Sequence, residues 1–232
     1  MKWTVLRHDF FDGTVQCRLG KRKHNLESGI VFVIQNEYGD IAYCGSGCAK
    51  NKDYVTNPKE SIPDFTSKLL FLNDSDSSSN NNTSSSKDKS CAKDEMKNNQ
   101  LCRRYLELLF VLIPLIDLKA NTQDESVNII INYILKKGSR ETILKSSMHI
   151  LLDILKTTKN SQYSISYLYF IYTYIRQIDF LLNESTSEKE KKLLIDSKSY
   201  VKKHHKVSEK QFNIVVSKLN EHNRNIKYIR LL

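Results

Sequence analysis

Only seven glycines and three prolines occur in 232 residues. That is too little turn chemistry for a sandwich or barrel of many short strands, and it leaves helix as the dominant expectation. Long apolar runs are missing as well. The most hydrophobic stretch, Tyr105 to Leu118, is broken by Glu107, Pro114 and Asp117. A bilayer span needs roughly 20 apolar residues, so a buried helix is expected there and no membrane contact. Met1-Lys2-Trp3-Thr4 does not open a charged leader with an apolar stretch behind it, so no signal peptide is expected. Catalytic signatures are scarce too. There is no Gly-x-x-x-x-Gly-Lys phosphate loop, no dinucleotide fingerprint and no His-Glu-x-x-His. Gly45-Ser46-Gly47 is not a nucleophile elbow, because Cys44 stands where the spaced glycine belongs. The dipeptide His24-Asn25 beside cysteines is the one hint of a nuclease, and an enzyme is not expected.

Five cysteines (Cys17, Cys44, Cys48, Cys91 and Cys102) make an odd number in a chain with no export signal. A disulfide framework is therefore not expected; reduced thiols or thiolate ligands, in a cytoplasmic protein, are. Against these absences stands an excess of charge. Thirty-six Lys and Arg face 26 Asp and Glu, a formal net charge of +10. Such a field attracts polyanions, of which nucleic acid is the commonest. The plainer account is general solubility of a lysine-rich chain.

The composition shifts twice along the chain and points to an α+β protein in three parts. Residues 1–72 read as a small β-rich module, 73–97 as a Ser/Asn linker and 98–232 as a helical bundle. In the module, Trp3–Leu6, Thr14–Cys17 and Gly29–Ile34 are candidate strands, the last being a β-branched and aromatic run. Asn36-Glu37-Tyr38-Gly39-Asp40 is a turn that returns Ile41–Tyr43 as a hairpin partner. A short helix is expected near Cys48 and another from Ser61 to Leu72. The Asp/Ser/Asn/Thr/Lys segment has nothing apolar to bury and is expected to be a disordered tether.

Five or six helices should follow. Gln100–Lys119 comes first, kinked at Pro114. Thr122–Glu125 reads as a capping box ahead of a stripe of Val127, Ile130, Ile131, Ile134 and Leu135, which Gly138 stops. Leu144, Met148, Leu151, Leu152 and Leu155 mark the next. Tyr163–Leu182 is apolar nearly all round, and its tyrosines at helical spacing read as core. Ser187–Glu190 and Ser208–Gln211 are further capping boxes, the second ahead of Phe212, Val215, Val216 and Leu219.

One constellation carries chemistry. Cys17 lies on or just after a strand, and Cys44 and Cys48 lie where a hairpin enters a helix. A knuckle, a hairpin and a helix start can converge to hold a tetrahedral metal. The order of features, with Asn36-Glu37-Tyr38-Gly39 followed by Gly45-Ser46-Gly47-Cys48, resembles the treble-clef-like zinc modules of bacterial and phage nucleic-acid-binding proteins. The resemblance covers about the first fifty residues. It implies zinc on Cys17, Cys44 and Cys48 with His24 or His8 completing the set, because Gly20 occupies the place of the knuckle's second cysteine. The other reading is a module that has lost its metal and keeps reduced structural thiols.

Beside Cys17 lies the densest basic patch of the module, Arg18, Lys21, Arg22 and Lys23, suited to phosphate contact. Trp3, Phe10, Phe11 and Tyr43 could stack bases but read first as the module's core. A second cluster, Lys202-Lys203-His204-His205-Lys206, reads as a solvated helical face or a further phosphate contact. The functional expectation is a nucleic-acid-associated accessory protein, binding DNA or RNA backbone through these basic loops, with the helical domain as support or as the seat of a protein partner. The alternative is a protein-interaction adaptor of a phage, plasmid or defence system.

Overall fold

The extended run at Val31-Phe32-Val33-Ile34 forms strand β4 (Ile30–Gln35), the middle strand of an antiparallel sheet. The structure, a computed structural model, describes residues 2–11, 15–20, 23–26, 30–57, 62–66, 87–120, 122–136, 138–158 and 161–221, with backbone alone for 87–97. The sheet has the order β1-β4-β5, with β1 at Thr4–Phe10 and β5 at Ile41–Cys44. Between β1 and β4 a two-stranded pair, β2 (Val15–Gln16) and β3 (Asn25–Leu26), forms a separate antiparallel ladder. The expected hairpin joins β4 to β5, with Phe32 opposite Cys44 and Gln35 opposite Ile41. Its turn is organised by one side chain: Asn36 Oδ1 accepts from the amides of Tyr38 at 3.0 Å and Asp40 at 2.8 Å. Gly39 sits at φ +91°, a conformation that costs a residue without Cβ little.

The outer edge of β1 is covered by later chain. The Trp3 amide donates to the Tyr54 carbonyl and the Thr56 amide donates to the Trp3 carbonyl, and the Asn57 side-chain amide spans both the N–H and the C=O of Val5. Further along, the His8 amide donates to Pro63 O and the Phe65 amide donates to His8 O. Residues 62–66 thus run along a strand instead of forming the start of a helix, which corrects the expectation of a helix from Ser61. The remainder of that stretch lies outside the described residues. An open strand edge invites pairing with other chains, and this coverage removes it. Helix α1 is a single turn, Ser46–Ala49.

Six longer helices follow: α2 (Lys87–Ile116), α3 (Glu125–Leu135), α4 (Arg140–Thr157), α5 (Ile165–Glu184), α6 (Glu188–His204) and α7 (Glu209–Glu221). Of the linker expected at 73–97, residues 73–86 lie outside the described residues, and 87–97 form the first turns of α2. Pro114 falls inside that helix, as its sequence required. Capping follows the sequence closely at two starts. Ser187 accepts from the Glu190 amide, and Ser208 and Gln211 cap each other reciprocally. At the start of α3 the cap is Asp124, which accepts from the Val127 amide at 3.0 Å, and Thr122 bonds to the Asp124 carbonyl instead. Gly138 ends the turn after α3, where a Cβ would lie 3.0 Å from the Tyr133 carbonyl.

The chain divides into two compact units, Met1–Glu107 and Leu108–Leu232. The second is a helical bundle whose core holds Leu109, Leu112, Ile130, Ile131, Leu151, Ile175 and Leu181, all essentially inaccessible to water. Of the stripe Tyr163, Tyr167, Phe170 and Tyr174 that its spacing assigned to the core, Tyr163 and Tyr174 are buried and Tyr167 and Phe170 are half-buried. Leu135, assigned to the buried stripe of α3, is half exposed at the helix end. No helix among the described residues is long and apolar enough to cross a membrane.

The first unit has an apolar cluster of Trp3, Val5, Cys17, Leu19, Leu26, Val31, Ile34, Cys44, Ala49 and Val55. It also buries charge. Arg7 of β1 donates to Asp9 at 2.7 Å and, from its other branch, to Glu107 of α2 at 2.9 Å. Asp9 and Glu107 are almost wholly buried, and the guanidinium groups of Arg7 and Arg104 lie over the Phe65 ring. A buried carboxylate stripped of its partner is strongly destabilising. Replacing Arg7 by Met is therefore expected to lower unfolding free energy by about 3 kcal/mol. Urea denaturation of the full chain measures this, and a loss no larger than that of a surface substitution would show that the pair does not hold helix to sheet.

Candidate metal centre

Cys17 follows β2 and begins a turn in which Gly20 takes φ +95°. The Cys17 amide donates to the His24 carbonyl at 2.8 Å, which closes the loop 17–24 at its neck. The next amide, Arg18 N–H, donates to the Tyr43 carbonyl at 2.9 Å and fastens this loop to β5. The chain then leaves β5 through Cys44 and Gly45 into α1, which carries Cys48. Sequence-distant thiols are thereby gathered at one end of the module.

The donor atoms of Cys17, His24 and Cys48 all lie within 4.8 Å of one another. Ligands of a tetrahedral zinc, at about 2.0–2.3 Å from the metal, are spaced only slightly closer than this. Cys17 is buried, Cys48 half-buried and His24 exposed. Both thiols turn towards the same acceptor, the Leu19 carbonyl, at 3.2 Å from Cys17 Sγ and 3.7 Å from Cys48 Sγ. Cys44 is not part of this trio but is close by. Burial, reinforced by the negative charge of Cys17 and Cys48, pushes its thiol up to about 12. Cys48 is raised too, first by burial and then by its hydrogen bond with Cys17. Cys44 and Cys48 thus resist ionisation when alone, whereas a bound cation would reverse the sign of that interaction and favour thiolate. Cys17, Cys44, Cys48 and Cys102 are all free of disulfides.

Gly45 lies beside Leu26 and the imidazole. A Cβ at that position would stand at a tight 3.2 Å from Leu26 Cδ2 and 3.4 Å from His24 Nε2. The sequence marks Gly45 only as a glycine before a helix; these neighbours come from elsewhere in the chain. His8, the other histidine in reach by sequence, is engaged elsewhere. Its Nδ1 lies 3.1 Å from Asp64 Oδ1, and its ring stacks on Phe32 with centroids 4.5 Å apart.

The basic residues divide between the two units. Arg18 and Lys23 flank the metal-ligand loop, are exposed, and take part in no ion pair among the described residues. Lys21 and Arg22 lie outside the described residues. Lys202 and Lys203 are exposed in the last turn of α6, where cations complement the helix dipole. The adjacent histidines have local partners: His204 packs on Tyr200, and His205, the left-handed cap of α6, bonds to the Ile116 carbonyl. Trp3 is buried in the module's core, and Phe11 packs on Tyr43 against that core, both half-buried.

The surroundings of Gly45 yield a direct expectation. Its φ of −79° is open to any residue, so Gly45→Ala should keep the fold, with the added methyl pressing first on the flexible end of Leu26. Urea denaturation should show a loss of about 1 kcal/mol. Loss of the folded state would show that this position tolerates no side chain. No family model matches this chain, and comparison with curated proteins and with solved structures finds no match either.

Proposed function

We propose that the N-terminal module binds zinc through Cys17, Cys48 and His24, as treble-clef-like modules do, and that the chain is a nucleic-acid-associated accessory protein. The observation that carries this reading is the coincidence of two features on one loop. The segment 17–24 supplies two of the three clustered donors and also displays Arg18 and Lys23 to solvent without a carboxylate partner among the described residues. A metal clipped at the neck of such a loop removes much of its freedom before any ligand arrives. Ordering a loop's side chains on binding is a cost that preorganisation avoids. Arginine and lysine held in this way can neutralise phosphates and release counterions, which is the sequence-independent part of nucleic-acid affinity. The net charge of +10 supports the same direction by drawing polyanions towards the protein. The helical unit supports the module, and its exposed Lys202 and Lys203 offer a further phosphate contact.

A second reading, a protein-interaction adaptor, has its own support in apolar side chains left in water on the bundle. Leu193 and Ile195 of α6 are exposed at 39% and 52%. The two readings separate in one experiment. Fluorescence anisotropy with labelled single-stranded and duplex DNA and RNA, across a salt series, should show binding that weakens steeply as salt rises. The double change Arg18→Ala/Lys23→Ala should reduce the slope of log affinity against log salt by roughly one to two, about 0.9 for each lost duplex phosphate contact. Absence of binding at low salt would exclude the nucleic-acid reading and leave the adaptor.

A further inference from the structure

We propose that a cleft in the helical unit binds a nucleoside monophosphate, with the phosphate beside Lys206 and Tyr167 and an amino-bearing base towards Gln162 and Asp124. This goes beyond the loop contacts of the first unit and rests on the nucleic-acid reading only for the choice among phosphorylated ligands. The cleft, of about 720 Å³, is lined by Asp124, Ser161, Gln162, Tyr163, Tyr167 and Lys206, all within the second unit. Pockets that enclose small ligands run from about 300 to 1,000 Å³, so a mononucleotide has room. Three helix ends build the cleft. Asp124 caps α3, Tyr163 and Tyr167 stand on either side of Ser164, the cap of α5, and Lys206 follows the left-handed cap of α6.

The polar groups of the cleft are unequally spent. Gln162 gives its Nε2 to the Tyr163 hydroxyl at 3.0 Å, and its carbonyl oxygen has no partner among the described residues. The Asp124 carboxylate, which holds the Val127 amide, also acts on Tyr163. This side of the cleft therefore offers acceptors, suited to the exocyclic amine of a base. The other side offers donors. Ser161 Oγ accepts from the Tyr163 amide at 3.1 Å, and the Tyr167 hydroxyl meets the Val207 backbone. Neither O–H hydrogen has an acceptor among the described residues. Burial raises Tyr167 above the ordinary tyrosine value, so it keeps its proton and can donate at neutral pH. The contact with Val207 also brings that hydroxyl to the neighbour of Lys206, an exposed lysine in no ion pair among the described residues. An ammonium and hydroxyl donors together suit a phosphate. Lys206 draws the phosphate and Asp124 repels it, which sets the direction of the ligand. Between them the half-buried Tyr167 ring has Phe170 as its one ring partner among the described residues, with centroids 6.0 Å apart, and a tyrosine ring is a surface on which a base can lie.

Isothermal titration calorimetry of the full chain with AMP, adenosine and IMP tests both sides of the cleft. AMP should bind more tightly than adenosine. Lys206→Gln, at an exposed position, should weaken AMP about fivefold, the upper range for an exposed ion pair, and leave adenosine unchanged. IMP presents a carbonyl where AMP has its amine, so it should bind more weakly than AMP, and Gln162→Ala should narrow that gap. No saturable binding of AMP, or equal AMP affinity in Lys206→Gln and the parent chain, would overturn the proposal. A short oligoadenylate that displaces AMP assigns the cleft to single strands, whereas one that leaves AMP in place assigns it to the free nucleotide. A chain that binds DNA or RNA but not AMP defeats this inference alone. One that holds AMP but binds neither nucleic acid defeats the earlier reading alone.

Discussion

One backbone hydrogen bond, from the Cys17 amide to the His24 carbonyl, sets where the chemistry of the first unit can happen. It pinches a loop so that a cysteine at one side of the neck and a histidine at the other face the start of α1. The neighbouring bond from Arg18 to Tyr43 then fixes the pinched loop against β5. Everything proposed for the module follows from this pair of bonds. The donors converge because the neck is closed, and Arg18 and Lys23 lie at the surface while Cys17 and Leu19 are buried.

A module of this size buries little apolar surface, and small domains commonly supplement their cores with metals or other cross-links. Two features of this unit lie in different places. Cys17, His24 and Cys48 come together at one end, and the Arg7 contacts with Asp9 and Glu107 join α2 to β1. The second is specific because it is costly to break. A hydrophobic substitute for Glu107 would suit the apolar face of α2 equally well, but it would leave Arg7 with less to bond. The carboxylate that interrupts the most hydrophobic stretch of the chain is thus an address, matched to one guanidinium on the sheet.

The elements built from local signals were legible in the sequence. The hairpin of β4 and β5 followed from a β-branched run and an Asn/Gly turn, and the starts of α6 and α7 followed from Ser with Glu or Gln three residues on. What escaped were features made by chain meeting chain. Residues 62–66 carry no strand pattern of their own, since they are held by main-chain bonds to His8. Spacing alone left either histidine open to the cysteine group; the structure places His24 beside Cys17 and Cys48 and His8 against Asp64. Likewise the cap of α3 fell on Asp124 because Thr122 spends its hydroxyl on the Asp124 carbonyl, a competition that a capping-box pattern does not record. The approach of Cys17 and Cys48 was legible, and Cys44 fell outside their group with His24; the neighbours of Gly45 could not be read, because Leu26 and His24 come from far back in the chain.

The belt of chain along β1 has a consequence for where the module ends. The thiol and imidazole pattern is complete by Ala49, and a fragment cut there would look whole by its motif. Such a fragment would lack the Asn57 amide that mimics a neighbouring strand at Val5, the main-chain partners of Trp3 and His8, and the carboxylate of Glu107. Bare amides would then line one flank, ready to recruit any extended peptide that came near, and Arg7 would keep Asp9 but lose its tie to α2. The smallest self-sufficient piece of this protein is accordingly set by its belt and its helix, and its motif occupies less than half of that length.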